Sequence, residues 1–155
     1  MPTISPLPVT ITCQFKVVFA TNNGSKDITQ KRPNQENKTM PMKHFKNAQK
    51  QEVASLGIEG INAFLQDTGA SDHAAAPIAY GFFRMEAGNP LEYTYSYDEC
   101  KVILEGEMTI AEVDGESYDV SAGDVVYFSR GTSVVFSSKS SGLGFYCGQR
   151  KLCEL

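Results

Sequence analysis

Two stretches of this sequence decide its fold. Residues 97–107 read Tyr-Asp-Glu-Cys-Lys-Val-Ile-Leu-Glu-Gly-Glu, and residues 122–131 read Ala-Gly-Asp-Val-Val-Tyr-Phe-Ser-Arg-Gly. Both are rich in residues that favour β-strands, and Gly106, Gly123 and Gly131 stand where such strands would have to turn. A small barrel needs corners of this kind, so these glycines indicate a fold and carry no information about a reaction.

Further short strands surround the two stretches. Apolar and β-branched residues predict strands at residues 78–85, 91–104, 108–113, 117–120, 125–128, 134–137 and 143–147. Asp114-Gly115 favours a tight hairpin turn between the third and the fourth of them. Residues 47–56 allow a short helix, which Gly57 and Gly60 would limit. The predicted fold class is all-β: a single-domain jelly-roll β-barrel with little helix.

The N-terminal part of the chain has a different character. Apolar residues alternate with polar ones over residues 9–20, which predicts an additional half-buried strand. Residues 22–43 carry five basic residues, two prolines and almost no apolar side chains. We therefore expect an N-terminal strand extension at 1–21, a loose linker at 22–45 and the barrel domain at 46–155. An additional strand with an unpaired edge needs covering, which favours a homodimer.

Composition excludes several classes of function. The 155 residues include 14 Lys and Arg against 18 Asp and Glu, and the net charge of −4 argues against binding nucleic acid through its phosphates. No apolar run is long enough to cross a bilayer, and no export signal is evident. The four cysteines lack the close spacing that is typical of metal sites. We expect a cytoplasmic protein whose partner is a small molecule.

The two stretches resemble the two motifs of the cupin superfamily, a group of small jelly-roll barrels. Residues 97–99, followed by Leu104-Glu105-Gly106-Glu107, more narrowly resemble the EutQ-like branch, which is named for ethanolamine utilisation. The resemblance covers residues 78–150. It implies a link to ethanolamine metabolism and an acetate-kinase-like activity. The chain, however, has no glycine-rich phosphate loop that opens a helix, so neither property is carried over.

Metal-binding cupins, which this chain resembles, carry two histidines and a glutamate in the first motif and a third histidine in the second. In this sequence the histidine positions fall on Tyr93, Tyr95 and Val134, and only Glu99 keeps its ligand type. One carboxylate among neutral phenols is a poor transition-metal site. We therefore expect no metal and no cofactor. The alternative that stays open is a site joining Glu99, His73 and the phenols.

Strand alternation assigns an inward face around Glu99, because side chains two residues apart share a face. We predict Glu99, Lys101 and Tyr95 as catalytic residues. The predicted substrate-binding residues are Tyr93, Tyr97, Arg84, Glu86, Tyr80 and Phe136. Two interpretations of Glu99 and Lys101 stay open. They form a structural ion pair, or they form a proton-transfer site in which Glu99 is the acid or base and tyrosine hydroxyls donate to an oxyanion.

The leading functional hypothesis is a small-molecule enzyme of the lyase or isomerase type. It would perform metal-independent acid–base chemistry (isomerisation, dehydration or cyclisation) on a compact organic metabolite, for example as a biosynthetic tailoring step. The second hypothesis is a non-catalytic EutQ-like protein that binds a small ligand. The third is a metal-dependent cupin oxidoreductase. The sequence itself names no substrate.

Overall fold

The computed structural model describes residues 42–155. This part of the chain contains one short 3₁₀ helix, Ala48–Lys50, and eight strands. The strands are β1 Ala63–Ala70, β2 Ala79–Glu86, β3 Leu91–Thr94, β4 Glu99–Glu112, β5 Ser117–Ser121, β6 Val125–Phe128, β7 Ser133–Ser137 and β8 Ser141–Gly148. The predicted all-β class is confirmed. The strand predicted at residues 9–20 and most of the linker predicted at 22–45 lie outside the described residues.

Strand β4 organises the sheet. The strands run antiparallel to their neighbours in the order β1-β2-β8-β4-β7-β3, and β5 and β6 both pair with β4. The first half of β4 pairs with β6 and β8, and the second half pairs with β5 and β7. Gly106 joins the halves at a φ of +68°, where an added side chain would overlap the carbonyl oxygen of Ser141. The sheet curls at this point.

The interior core is formed by the face of the sheet that points into the barrel. Its buried members include aliphatic and aromatic side chains from β2, β4, β7 and β8, among them Phe83, Met85, Ile103, Met108, Val134, Phe136 and Tyr146. A second, smaller cluster of Val53, Phe82 and Leu143 lies on the opposite face of β2 and β8. The segment before β1 covers that outer face, so β2 carries apolar side chains on both sides.

The polar side chains of β2 point away from the barrel interior. Tyr80, Arg84 and Glu86 share the parity of Phe82, which belongs to the outer cluster, whereas Phe83 belongs to the interior core. Arg84 Nε lies 3.0 Å from Glu86 Oε1, and the two side chains are 35% and 40% exposed. These three residues, predicted to bind substrate together with the residues around Glu99, therefore do not share the inward face of Glu99. Polar side chains without buried partners stay near water. The residues of β2 that point into the barrel are therefore the apolar ones of the opposite parity.

Several predicted boundaries also shift. The strand predicted at 91–104 is divided into β3 and β4, because residues 95–98 belong to neither strand. The backbone N–H of Tyr95 donates to the carbonyl of Thr132, and the N–H of Gly131 donates to the carbonyl of Tyr95. This turn lets β3 pair with β7 while β4 pairs with β8. Within residues 42–155, no helix is long and apolar enough to cross a membrane.

Candidate functional site

Glu99 is the first residue of β4, and its carboxylate points into the barrel, where it is only 4% exposed. Its Oε1 accepts two hydrogen bonds of 3.0 Å, one from the Tyr95 hydroxyl and one from Lys101 Nζ. Lys101 is 2% exposed, so the ion pair is fully enclosed. Glu99 Oε2, by contrast, accepts no hydrogen bond from the described residues. One oxygen of the carboxylate is therefore fixed by two donors, and the other has no hydrogen-bond donor among the described residues.

Aromatic rings surround the ammonium group of Lys101. Nζ lies 4.9 Å from the ring centroid of Phe83, 5.0 Å from that of Tyr146 and 5.9 Å from that of Phe136. The negative faces of these rings attract a cation and partly replace the water that it has lost. The lysine is thus held in one position by one carboxylate and three rings.

Three tyrosines line the approach to Glu99. The Tyr95 ring stacks on Phe128 at 4.5 Å and meets the rings of Tyr93 and Tyr97 edge-on at 4.9 and 5.7 Å. The hydroxyls of Tyr93 and Tyr97 form a hydrogen bond of 3.1 Å. Burial, and next the charge of Glu99, raise the pKa of Tyr95 well above its ordinary value. Burial likewise raises the pKa of Tyr93 and Tyr97. All three phenols stay protonated at neutral pH and can donate hydrogen bonds.

A family match accompanies this geometry. Residues 74–141 match the family model described as the EutQ-like cupin domain. This segment is similar to the EutQ-like cupin domain. A curated relative, acetate kinase EutQ of Escherichia coli (strain K12), is 34% identical over 64 residues, which are 41% of this chain. The same match spans 27% of that relative, so the chain corresponds to a small part of its length.

Solved structures share the fold of the cupin domain. A putative ethanolamine utilization protein from Salmonella typhimurium LT2 is 25% identical, with a TM-score of 0.52 over 63% of this chain and 77% of that chain. The polyketide cyclase RemF from Streptomyces resistomycificus is 14% identical, with a TM-score of 0.59 over 73% of this chain and 81% of that chain. The second likeness is one of fold alone. Together these matches confirm the resemblance predicted from the two motifs.

The donor set of the cupin domain does not fit a transition-metal ion. The positions at which metal-binding cupins carry histidine hold Tyr93, Tyr95 and Val134. The Lys101 ammonium already bonds Glu99 Oε1, which places a cation where a metal would have to sit. His73 is exposed, and its Nδ1 accepts a hydrogen bond from the backbone N–H of Ala76. Across residues 42–155, no three His, Cys, Asp or Glu side chains are grouped to hold a metal. No chemical step is therefore assigned to a metal.

The cupin domain brings six of the nine predicted site residues together. These are Tyr93, Tyr95, Tyr97, Glu99, Lys101 and Phe136. Phe136 contacts the rings of Phe83 and Phe128 and faces Lys101, so it belongs to the wall of the cluster. Tyr80, Arg84 and Glu86 stand on the outer face of β2, away from this cluster.

A second buried ionic cluster was missed by sequence reasoning. Asp67 of β1 accepts hydrogen bonds from the guanidinium of Arg150, the hydroxyl of Tyr146 and the backbone N–H of Cys153. The Tyr146 ring separates this cluster from Lys101 and contacts both cations. The signal in the sequence is weak, since β1 carries a single charged residue and its partner lies 83 residues away.

Proposed function

We propose that this chain is a small-molecule enzyme of the cupin fold in which Glu99 transfers protons without the help of a metal. The observation that carries the proposal is the asymmetry of the Glu99 carboxylate. Oε1 is held by Lys101 and Tyr95, and Oε2 accepts nothing from residues 42–155. A carboxylate that is oriented through one oxygen presents the other to a substrate in a fixed direction.

The neighbours of Glu99 supply the remaining parts of an acid–base site. Lys101 compensates the buried negative charge, which would otherwise be expensive to enclose. The phenols of Tyr93 and Tyr97 are protonated donors for oxygen atoms that gain negative charge during the reaction. Tyr93 is only partly buried and therefore lies nearest to solvent of the three.

A balanced reaction follows from these roles. Glu99 Oε2 takes a proton from a C–H bond beside a carbonyl group, and the electron pair of that bond moves to the carbonyl oxygen. A tyrosine hydroxyl donates a hydrogen bond to the resulting enolate oxygen. If a C=C bond is conjugated with the enolate, the electron pair returns from oxygen and Glu99 delivers the proton to the far carbon of that system, which gives an isomer with a shifted double bond. If the neighbouring carbon carries a hydroxyl group, the returning pair forms a C=C bond and breaks the C–O bond, and the departing hydroxide takes the proton from Glu99 and leaves as water. The substrate class is a compact metabolite with an acidic C–H bond.

Proton exchange with solvent tests this proposal before the natural substrate is identified. A panel of small carbonyl compounds is incubated with the protein in D₂O, and deuterium uptake is followed by NMR. We expect Glu99→Gln to lower the exchange rate by about 100- to 10,000-fold, the usual contribution of general acid–base catalysis. Glu92→Gln removes an exposed carboxylate from neighbouring β3 and serves as the matched control. Equal exchange rates in both variants would contradict the proposal.

A second candidate function is a non-catalytic EutQ-like protein that binds a small ligand. The dense aromatic packing around Tyr95, stacked on Phe128 and edge-on to two further tyrosines, favours it, because rings fill much of the space beside Glu99. This candidate predicts saturable ligand binding without any deuterium uptake. Exchange that depends on Glu99 would exclude it.

We further propose that the chain forms a homodimer in the cytoplasm. Strand β3 stands at one end of the strand order, and pairing of this edge between copies would cover it, whereas the outer edge of β1 is already bonded by residues 54–56. Analytical ultracentrifugation should give twice the mass of one chain, and a single-chain mass at micromolar concentration would exclude the dimer. Cell fractionation tests the compartment.

A further inference from the structure

Two cysteines, Cys100 and Cys147, lie directly opposite each other on the neighbouring strands β4 and β8. Both are free thiols, and Cys100 is exposed whereas Cys147 is partly exposed. Residues that are in register on antiparallel strands project from the same face of the sheet, so the two thiols stand side by side. The pair therefore forms a dithiol, although the cysteines are far apart in the sequence.

The dithiol lies on the outer face of the sheet. The residues next to it in the two strands, Glu99, Lys101 and Tyr146, are buried in the barrel interior, and strand alternation turns the cysteines the other way. Phe145, which has the same parity as Cys147, belongs to the outer apolar cluster. A small molecule from solvent thus meets both thiols without entering the barrel.

Tyrosines stand on both sides of the dithiol. Tyr127 of β6 is the register neighbour of Cys100, and Tyr80 of β2 is the register neighbour of Cys147. The four side chains form one row across β2, β8, β4 and β6. Each thiol therefore has a phenol ring in the next strand on one side and the other thiol on the other side. The group with which each cysteine can react most directly is the second cysteine.

The surroundings of the dithiol do not activate it as a catalytic nucleophile. Both cysteines line a shallow cleft of about 360 Å³, and its lining residues include no Lys, Arg or His. Burial raises the pKa of the Cys147 thiol most, and negative charge on Cys100 or Glu99 raises it further. Because the thiolate is the nucleophilic form, Cys147 reacts slowly by itself. The site suits chemistry that uses both sulfur atoms together.

The register of the strands allows a bond between the two sulfur atoms, but under strain. Directly opposite residues have Cβ atoms about 4.5–5.5 Å apart, whereas a relaxed disulfide brings them to about 3.5–4.5 Å. The β4–β8 ladder continues beyond the pair to Gly106 and Gly142, which limits how far the strands can approach each other. Strained and exposed disulfides are reduced easily, so this bond would be reversible.

We infer that Cys100 and Cys147 form a redox modification site that exchanges with low-molecular-weight disulfides. The Cys100 thiolate attacks one sulfur of the small disulfide, whose S–S bond breaks and releases one small thiol that takes up a proton. Cys147 then loses its proton and attacks the Cys100 sulfur, which releases the second small thiol. The two protein thiols are oxidised to one disulfide, and the small disulfide is reduced to two thiols. This site goes beyond the proposed function, because it uses neither Glu99 nor the barrel interior.

Oxidised glutathione is the probe for the exchange. The full chain is incubated with it, remaining thiols are blocked with N-ethylmaleimide, and tryptic peptides are identified by mass spectrometry. Cleavage after lysine and arginine places Cys100 in peptide 85–101 and Cys147 in peptide 140–150, apart from the other two cysteines. We expect these two peptides to be linked, and the link to disappear in excess reduced glutathione. Two separate glutathione adducts without a link would overturn the inference.

Serine variants test the order of the two steps. Cys147→Ser should stop at one glutathione on Cys100, because the second attacking thiol is missing. Cys100→Ser should take up glutathione about tenfold more slowly or less, because the remaining thiol is partly buried and neutral. The matched control combines Cys13→Ser with Cys153→Ser and should still form the linked peptides. Loss of the link in this control, or equal rates in Cys100→Ser and Cys147→Ser, would contradict the assignment.

Phenylarsine oxide tests the proximity of the two thiols without any oxidation. Its arsenic bridges two neighbouring thiols and releases water, so affinity depends on both sulfur atoms. The control variant that lacks Cys13 and Cys153 should bind one equivalent, and adding Cys100→Ser should weaken binding by about 100-fold or more. Equal binding before and after that change would overturn the dithiol. Deuterium uptake that depends on Glu99 is a separate measurement, so the proposed function and the dithiol stand or fall independently.

Discussion

Arg150 holds the buried carboxylate of Asp67 with two nitrogens, Nη2 at 2.6 Å from Oδ1 and Nη1 at 3.0 Å from Oδ2. The Tyr146 hydroxyl and the backbone N–H of Cys153 complete the shell of donors around the same carboxylate. Burial by itself would lower the pKa of Arg150. The hydrogen bonds to Asp67 outweigh this effect, so the pKa of Arg150 is raised above its ordinary value. The pair fastens the segment that follows β8 to β1, across the end of the barrel.

Breaking this pair should destabilise the protein strongly. Asp67→Asn keeps the shape of the side chain but leaves the Arg150 charge buried without compensation, a change that typically costs about 3–5 kcal/mol. Denaturant unfolding measures the loss. Asp72→Asn, at an exposed position between β1 and β2, should change stability by no more than about 0.5 kcal/mol. Equal stabilities for the two variants would show that the pair is not structural.

The two ion pairs differ in how far sequence could predict them. Glu99 and Lys101 lie two residues apart on a strongly patterned strand, so alternation alone placed them on one face. Asp67 and Arg150 are 83 residues apart, and their meeting depends on the pairing of β1 with β2 and of β2 with β8. No local pattern carries that information.

Alternation also failed on β2, for a physical reason. Both faces of this strand are partly buried, one in the interior core and one against the segment before β1, so its pattern is ambiguous. The choice of the polar parity as inward put Tyr80, Arg84 and Glu86 on the wrong side. The motif glycines, in contrast, marked real corners, since Gly106, Gly123 and Gly131 all have positive φ.

Two of these glycines should respond differently to substitution. Gly131 has a φ of +93° and open space around it, so Gly131→Ala meets only backbone strain of about 1 kcal/mol or more. Gly106→Ala adds a collision with the backbone of Ser141, which cannot move without breaking the β4–β8 ladder. We expect the second variant to lose far more stability, or to remain insoluble. Thermal melting of both variants provides the comparison, and equal melting temperatures would contradict this account of the corner at Gly106.

Alkaline pH should unfold the protein. Burial, and next the negative charge of Glu99 or Asp67, raise the pKa of Tyr95, Tyr97 and Tyr146 above the ordinary value near 10. Above that pH the unfolded chain releases these protons while the folded chain keeps them, so stability is complete below about pH 10 and falls as pH rises. Above about pH 10, three such groups together lower the free energy of unfolding by about 4 kcal/mol for each pH unit.

Tyrosinate absorbance and circular dichroism, followed together, test this expectation. The buried tyrosines should ionise only as the fold is lost, so the two signals should change together in the upper part of the titration. Tyr97→Phe removes one of the groups and should shift the unfolding midpoint to higher pH. Full ionisation of all tyrosines near pH 10 with the fold intact would refute the prediction.

Metal content offers an independent check on the site. Because Tyr93, Tyr95 and Val134 replace the expected histidines and Lys101 bonds Glu99, untagged protein should contain well below one transition metal per chain. Any exchange activity should survive treatment with a chelator. Stoichiometric zinc, iron or nickel, lost together with activity on chelation, would revive the metal-dependent hypothesis.

The role of Lys101 distinguishes two mechanisms of the proposed enzyme. If Lys101 only balances the charge of Glu99, Lys101→Met should lower the exchange rate less than Glu99→Gln does, although it leaves a buried carboxylate without its cation and should also lower stability. If Lys101 instead forms a Schiff base with the substrate, the same variant should abolish turnover.

The surroundings of Lys101 favour the first role. A Schiff base needs a neutral amine that a carbonyl carbon can approach, whereas Nζ is bonded to Glu99 at 3.0 Å and enclosed by the rings of Phe83, Tyr146 and Phe136. Borohydride added during turnover should therefore leave the intact mass of the protein unchanged. Exposed lysines also react with carbonyl compounds, without selectivity. The same treatment of Lys101→Met measures this background reaction. A mass increase found in wild type and absent from that variant would assign the covalent role to Lys101 and leave Glu99 as the base that serves it.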